Sequence, residues 1–223
     1  MFKVSTSKEA IADNGGSSYI NASGIYDVTI KFASLDKSTK SQAESVNFNL
    51  DYNGNDQTIY GPYIKGGKGQ DLEIGQKLIN KLAVVAGMTD GDTFELEPEE
   101  HPVGKDNTPR EFNVIQNFSD LPIKIRIQLE YGINPNTNEI SEKKVIKSFF
   151  REDGASAEEI TNESEIGKRL AWETEKVADA ITYKDDVTAE DVVTWKESKK
   201  SGKASAPKAK VATTAKSNGL FRS

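Results

Sequence analysis

One segment constrains the fold more than any other. Ile123, Ile125, Ile127, Leu129 and Tyr131 alternate with Lys124, Arg126, Gln128 and Glu130. Successive side chains of an extended strand point to opposite faces, so this pattern demands a strand with one apolar and one polar face. A helix would scatter the same five apolar residues around its circumference. Two earlier segments repeat the pattern. Tyr26, Val28, Ile30 and Phe32 alternate with Asp27, Thr29 and Lys31, and Val46, Phe48, Leu50 and Tyr52 alternate with Asn47, Asn49 and Asp51. Each predicts a half-buried strand whose apolar members share one face. The two pair antiparallel across a solvated loop, and Asn53-Gly54-Asn55-Asp56 turns the chain into a third strand near 57–60.

The period then changes. Asp71 can cap a helix running to about Ala86, with a buried stripe of Leu78, Leu82, Val85 and Ala86, Ile74 and Ile79 beside it, and Gly87 as its stop. Strands resume over 93–97 and 111–116, separated by a polar loop carrying Pro98, Pro102 and Pro109. After the strand at 123–131, Asn134-Pro135-Asn136-Thr137-Asn138 turns the chain, and 143–151 returns as its partner. Residues 155–182 read as one helix with a Trp172, Val177, Ile181 stripe, and 188–195 as a short further helix.

Three strands, a helix, then more strands is the element order of an OB fold. The expected class is mainly β with α: an OB-like antiparallel barrel with one internal helix, a C-terminal helix and a disordered basic tail. The expected organisation is a polar lead-in over 1–23 with a helical turn near 8–12, an OB-like nucleic-acid-binding domain over 24–151, a helical segment over 152–195, and the tail over 196–223.

Charge is divided along the chain. The net charge is −6, but 196–223 carries eight Lys/Arg against one acid, leaving −13 on the remainder. The tail is built of Lys, Ala, Ser, Thr, Pro and Gly, too polar to offset the entropy of ordering it. Its cations can reach an anionic partner, and Leu220 and Phe221 at its end form an apolar tip able to dock into a protein.

The chain has no cysteine and one histidine. Disulfides and Cys-based zinc sites are excluded, and the usual nucleophile–base pairs are nearly so. His101 lies in Glu99-Glu100-His101-Pro102, where consecutive residues do not converge on one ion. Gly61 and Gly66 begin a Walker spacing, but the next residue is Gly67 instead of Lys, and Lys68 is followed by Gly69 instead of Ser or Thr. No enzyme activity, metal or cofactor is expected. No apolar run is long enough to span a membrane, and Met1–Ser7 lacks a signal-like stretch, so a cytoplasmic location is expected.

Two clusters suit single-stranded nucleic acid, which needs rings for bases and cations for phosphates. The first is Tyr60, Tyr63, Lys65 and Lys68, within a glycine-rich stretch that lets backbone approach a ligand. The second lies on the late hairpin: Lys124 and Arg126 on one strand, and Lys143, Lys147, Phe149 and Arg151 sharing a face on the other. Tyr26, Tyr52, Trp172 and Trp195 are expected to pack rather than to stack on bases.

The chain resembles the OB-type single-stranded-DNA-binding proteins of tailed phages. The resemblance lies in Gly24-Ile25-Tyr26-Asp27-Val28-Thr29-Ile30, the tyrosine- and glycine-rich segment before the helix, and the hairpin closing on Lys147-Ser148-Phe149-Phe150, followed by Asp153-Gly154-Ala155-Ser156-Ala157-Glu158-Glu159-Ile160. It covers about residues 20–165. It implies protection of single strands in phage DNA replication and recombination, and recruitment of replication proteins through the C-terminus. That class usually ends in an acidic tail, whereas this one is basic, so the docking role does not transfer directly. The expected function is non-catalytic single-stranded DNA binding in the host cytoplasm. The alternative is an interaction or transcription-regulatory adaptor acting through the tail, with replication proteins or host RNA polymerase as partners.

Overall fold

The computed structural model describes residues 19–103 and 107–201. The tail tip Leu220–Phe221 and the turn expected near 8–12 lie outside them. The described chain is mainly β, with helices at the middle and end.

Nine strands form one antiparallel sheet built around β1 (Gly24–Lys37). The first half of β1 pairs with β7 (Leu121–Ile133), from Gly24↔Ile127 to Ile30↔Leu121. Its second half pairs with β2 (Glu44–Tyr52) on one edge, and on the other meets β6 (Thr108–Ile115) at Ser34↔Val114. β3 (Asn55–Ile59) and β4 (Tyr63–Lys65) add to β2, β5 (Leu96–Val103) adds to β6, and β8 (Ile140–Arg151) and β9 (Ile181–Tyr183) add to β7. β1 is thus shared by two arms of sheet. The expected barrel does not close among the described residues: the sheet stays open, because β3 pairs only with β2 and β8 only with β7.

The main core lies where the alternation puts it. Val28 and Ile30 of β1, Val46, Phe48 and Leu50 of β2, and Ile123, Ile125 and Ile127 of β7 are buried against helix α1 (Glu73–Val85) through Ile79, Leu82 and Val85. Tyr26 and Tyr52 pack against it as expected, their rings edge-to-face at 5.3 Å. Ile20, within the expected lead-in, is fully buried in this core, and its N–H donates to Gln57 Oε1 at 3.3 Å. The sequence placed Ile74 beside the buried stripe, but it projects into solvent, and the N-cap of α1 is Leu72 rather than Asp71. The loop expected to hold three prolines is instead the β5–β6 hairpin, with Pro102 opposite Pro109.

The single helix expected over 155–182 is two, α2 (Ala157–Thr161) and α3 (Lys168–Lys176), parted where Glu163 and Gly167 take positive φ. A capping box opens α2: Ser156 Oγ accepts from the Glu159 N–H, and the Glu159 carboxylate accepts from the Ser156 N–H at 2.8 Å. The same carboxylate accepts from the Arg169 N–H at 2.8 Å, tying α2 to α3. Trp172, expected to pack, is 47% exposed, with the Arg169 guanidinium 4.7 Å from its ring.

Residues 131–142 and 183–201 form a second compact unit. Its centre is Tyr131, whose hydroxyl donates to Glu142 at 2.6 Å and whose ring meets Tyr183 at 6.0 Å and Trp195 at 6.3 Å. Helix α4 (Ala189–Lys200) starts on a Thr188–Asp191 capping box and runs five residues into the stretch expected to be disordered. Lys196 and Lys199 lie over the Tyr131 and Trp195 rings, and Lys199 and Lys200 oppose the dipole at the helix end. No helix among the described residues is long and apolar enough to cross a membrane.

One polar cluster fastens α3 to the sheet. Glu173, 1% exposed, accepts from Arg126 Nε at 2.6 Å, from Arg169 Nε at 2.7 Å and from the Ser148 hydroxyl at 2.8 Å. Removing one partner of such a buried pair strands the other, so Glu173→Ala should cost about 3–5 kcal/mol. Urea unfolding reads this; an unchanged midpoint would contradict the buried pair. Glu159 supplies a pH test. Burial pushes its carboxyl pKa up, but hydrogen bonds from Ser156 and from the Arg169 backbone outweigh it, and the net shift is below the ordinary 4.5. A lowered folded-state value contributes stability that is complete above the unfolded value and lost as pH falls through the folded one. The stability difference between wild type and Glu159→Gln should therefore be full near neutrality and shrink below about pH 4.5.

Candidate nucleic-acid interface

β1 changes face partway along. Its register with β2 slips between Ile30 and Phe32, a β-bulge at Lys31. One extra residue reverses every later side chain. Val28 and Ile30 belong to the main core, and after the bulge Ala33 joins them. Phe32 was expected on the same face as Ile30. It turns instead to the opposite face and forms a separate cluster with Phe112 and Val114 of β6.

This outer face carries an aromatic deck. His101 stacks flat on Phe32, centroids 3.8 Å apart and planes 10° from parallel. Its Nε2 lies 2.8 Å from Glu99 Oε2. The Gln116 amide, more than His101, holds the Glu99 carboxyl below its usual range. Across the hairpin, Arg110 pairs in register with His101 and places its guanidinium 5.1 Å from the Phe112 ring centroid. No acid pairs with Arg110 among the described residues.

Beside the deck lies a recess of about 170 Å3. Its floor is polar: Ser34 and Asp36 from β1 and Asn47 and Asn49 from β2. Exposed Thr58, Tyr60 and Arg110 form its rim, with the buried Phe112 beside them. Asn47 braces the floor, donating through its amide to Asp36 and accepting from the Gly61 N–H at 2.9 Å. Asn49 Oδ1 accepts from the Thr58 hydroxyl at 2.8 Å. Ser34 Oγ is buried without a hydrogen-bond partner among the described residues.

The tyrosines predicted to face a ligand do face outward. Tyr60 is 77% exposed and Tyr63 58%. Their segment is held by the backbone. The Gly61 N–H bonds Asn47, the Pro62 carbonyl accepts from the Val46 N–H at 3.0 Å, and the Ile64 carbonyl accepts from the Leu72 N–H at 3.0 Å. Helix α1 presses from behind: a Cβ on Gly75 would lie 1.9 Å from the Tyr63 carbonyl oxygen, so only glycine fits. Lys65 pairs with Glu44 at 3.1 Å, while Lys68 is exposed with no ion-pair partner among the described residues.

The hairpin does not present its cluster as one open face of rings and free cations. Phe149, expected to share the cationic face, is 3% exposed and packs against Phe48 at 5.6 Å. Arg126 is engaged by Glu173 and also donates to the Val177 carbonyl at 3.4 Å. Lys124 pairs with Asp27, Lys147 with Glu130 at 2.9 Å, and Arg151 with Asp153 at 2.6 Å. Of the six residues, Lys143 alone is exposed with no acidic partner among the described residues. For Arg126 the physical reason is α3, whose Glu173 reaches back to it, while the other paired cations are met by acids of β1, of β7 and of the turn after β8.

Conversely, Phe32, His101, Arg110 and Phe112 were not expected to assemble. A signal was present, since Ala33 and Leu35 fall out of phase with Val28 and Ile30. Such a break in a two-residue period marks a bulge and a change of face.

Glycine-to-alanine changes inside a helix ordinarily add about 0.5–1 kcal/mol. Gly75→Ala should do the reverse and lower the melting temperature, because its new methyl meets the Tyr63 carbonyl. A rise in melting temperature would mean that α1 does not lean on β4. Compared with known proteins, the chain finds no counterpart: no family model, curated protein or solved structure matches it.

Proposed function

We propose that this chain is a non-catalytic single-stranded-DNA-binding protein, acting in phage DNA replication and recombination within the host cytoplasm. One observation carries the reading: Tyr60 stands exposed at a recess it shares with Arg110, whose guanidinium lies over the buried Phe112 ring, and Tyr63 is exposed three residues further along the same segment. Exposed rings offer stacking to bases of any sequence, and a guanidinium without an acid partner can meet the backbone phosphates. Duplex DNA keeps its bases stacked on one another and offers these rings nothing, so single strands are favoured. The resemblance to phage single-strand binders over 20–165 supports the replication setting.

The body is acidic and offers few unpaired cations on this face, Arg110 and Lys68 foremost. Stacking therefore supplies most of the affinity. Salt should weaken binding only gently, with a log–log slope near −1.4 for two phosphate contacts at about −0.7 each.

Anisotropy titration of the full chain with labelled oligonucleotides tests this. Tight binding to single strands and weak binding to duplex is expected. Tyr60→Ala should weaken binding by about 1–3 kcal/mol, and Arg110→Ala should flatten the salt slope by about 0.7. Lys147→Ala, whose partner is Glu130, should leave affinity unchanged. Equal affinity for both forms, or a larger loss at Lys147 than at Tyr60, would refute the assignment.

A further inference from the structure

Resting on the single-strand reading, we propose that the recess beneath Arg110 receives one unpaired base of the bound strand, and receives cytosine in preference to thymine.

Size is the first argument. A cavity of about 150 Å3 accommodates a benzene ring, and this recess measures about 170 Å3. One six-membered ring therefore fits.

Unused hydrogen-bonding capacity is the second. Ser34 Oγ is wholly buried and has no partner among the described residues. A hydroxyl removed from water without a partner is costly, and a ligand edge would supply one. The Asn49 carbonyl is engaged by Thr58, which leaves its two N–H donors directed to no acceptor among the described residues. One Asp36 oxygen accepts from Asn47, and the other accepts from nothing described. The recess thus presents a carboxylate acceptor together with amide and hydroxyl donors.

Cytosine is the complement. Its N4 amine donates to a carboxylate, the recognised acidic contact for this base. Its N3 and O2 can accept from the Asn49 amide and the Ser34 hydroxyl. Thymine carries a carbonyl where cytosine carries the amine, and a carboxylate facing a carbonyl is repelled. This also accounts for an acid in a face meant for a polyanion. Asp36 would oppose a phosphate, but it suits a base edge, while Arg110 at the rim takes the phosphate.

The test compares full-length protein on oligo(dC) and oligo(dT) of equal length by anisotropy. About tenfold tighter binding of oligo(dC) is expected, the discrimination typical of one good base contact. Asp36→Asn keeps the side-chain shape and replaces one acceptor with a donor, so it should erase or invert the preference. Asn49→Ala should narrow it. Equal binding of the two oligonucleotides by wild type overturns the recess assignment while leaving single-strand binding intact. A preference that survives both substitutions also overturns it, since the base is then read elsewhere. Failure to bind either oligonucleotide removes the single-strand reading and this inference together.

Discussion

The structure depends on a single inserted residue. At the bulge in β1, Lys31 is accommodated without a partner in register, and the strand reverses the sense of its faces. Before it, Val28 and Ile30 feed the main core; after it, Ala33 continues that core while Phe32, Ser34 and Asp36 point the other way. A bulge also sharpens local twist and bends its strand. That bend lets β1 serve β7 with its first half and β2 and β6 with its second. β1 contributes to the candidate interface the residues that the bulge turns away from the core, so the same irregularity that shapes the sheet also shapes its outer face.

Charge pairing decides which faces remain open. The hairpin of β7 and β8 carries cations, and the chain after it carries acids. Glu173 reaches back to Arg126 and Ser148 and is buried by doing so. A carboxylate leaves water only where several donors replace its hydration, and here two guanidinium groups and a hydroxyl do. One polar face of the sheet is thereby consumed in holding α3. Around Tyr60 and Arg110 no acidic helix among the described residues performs that service, and the Tyr60 ring and the guanidinium stay accessible.

Rigid support behind the candidate site comes from ordinary packing. Gly75 lets α1 touch the carbonyl of Tyr63, and Asn47 ties the recess floor to the turn that carries Tyr60. A ring held by its own backbone has less freedom to lose when a base stacks on it, which is the energetic advantage of pre-organisation. The recess floor is similarly fixed, since Asn47 spends both ends of its amide on Asp36 and Gly61.

Much of this could be read from the residues alone. Two-residue periods located β1, β2 and β7, the glycine-rich stretch located the exposed tyrosines, and the change of period located α1. Phe149 illustrates where such reading fails. Alternation assigns it to one of two faces but cannot tell that both are covered, and Phe48 from a distant strand meets it there. Phe112 and Phe32 illustrate the converse: far apart in the chain and unremarked locally, they meet only because β6 crosses the second half of β1. Local patterns determined which segments are strands and helices, because backbone period and side-chain polarity are properties of neighbours in sequence. Tertiary structure alone decided which polar face is sealed and which is open, because that depends on charges and rings contributed by segments tens of residues away.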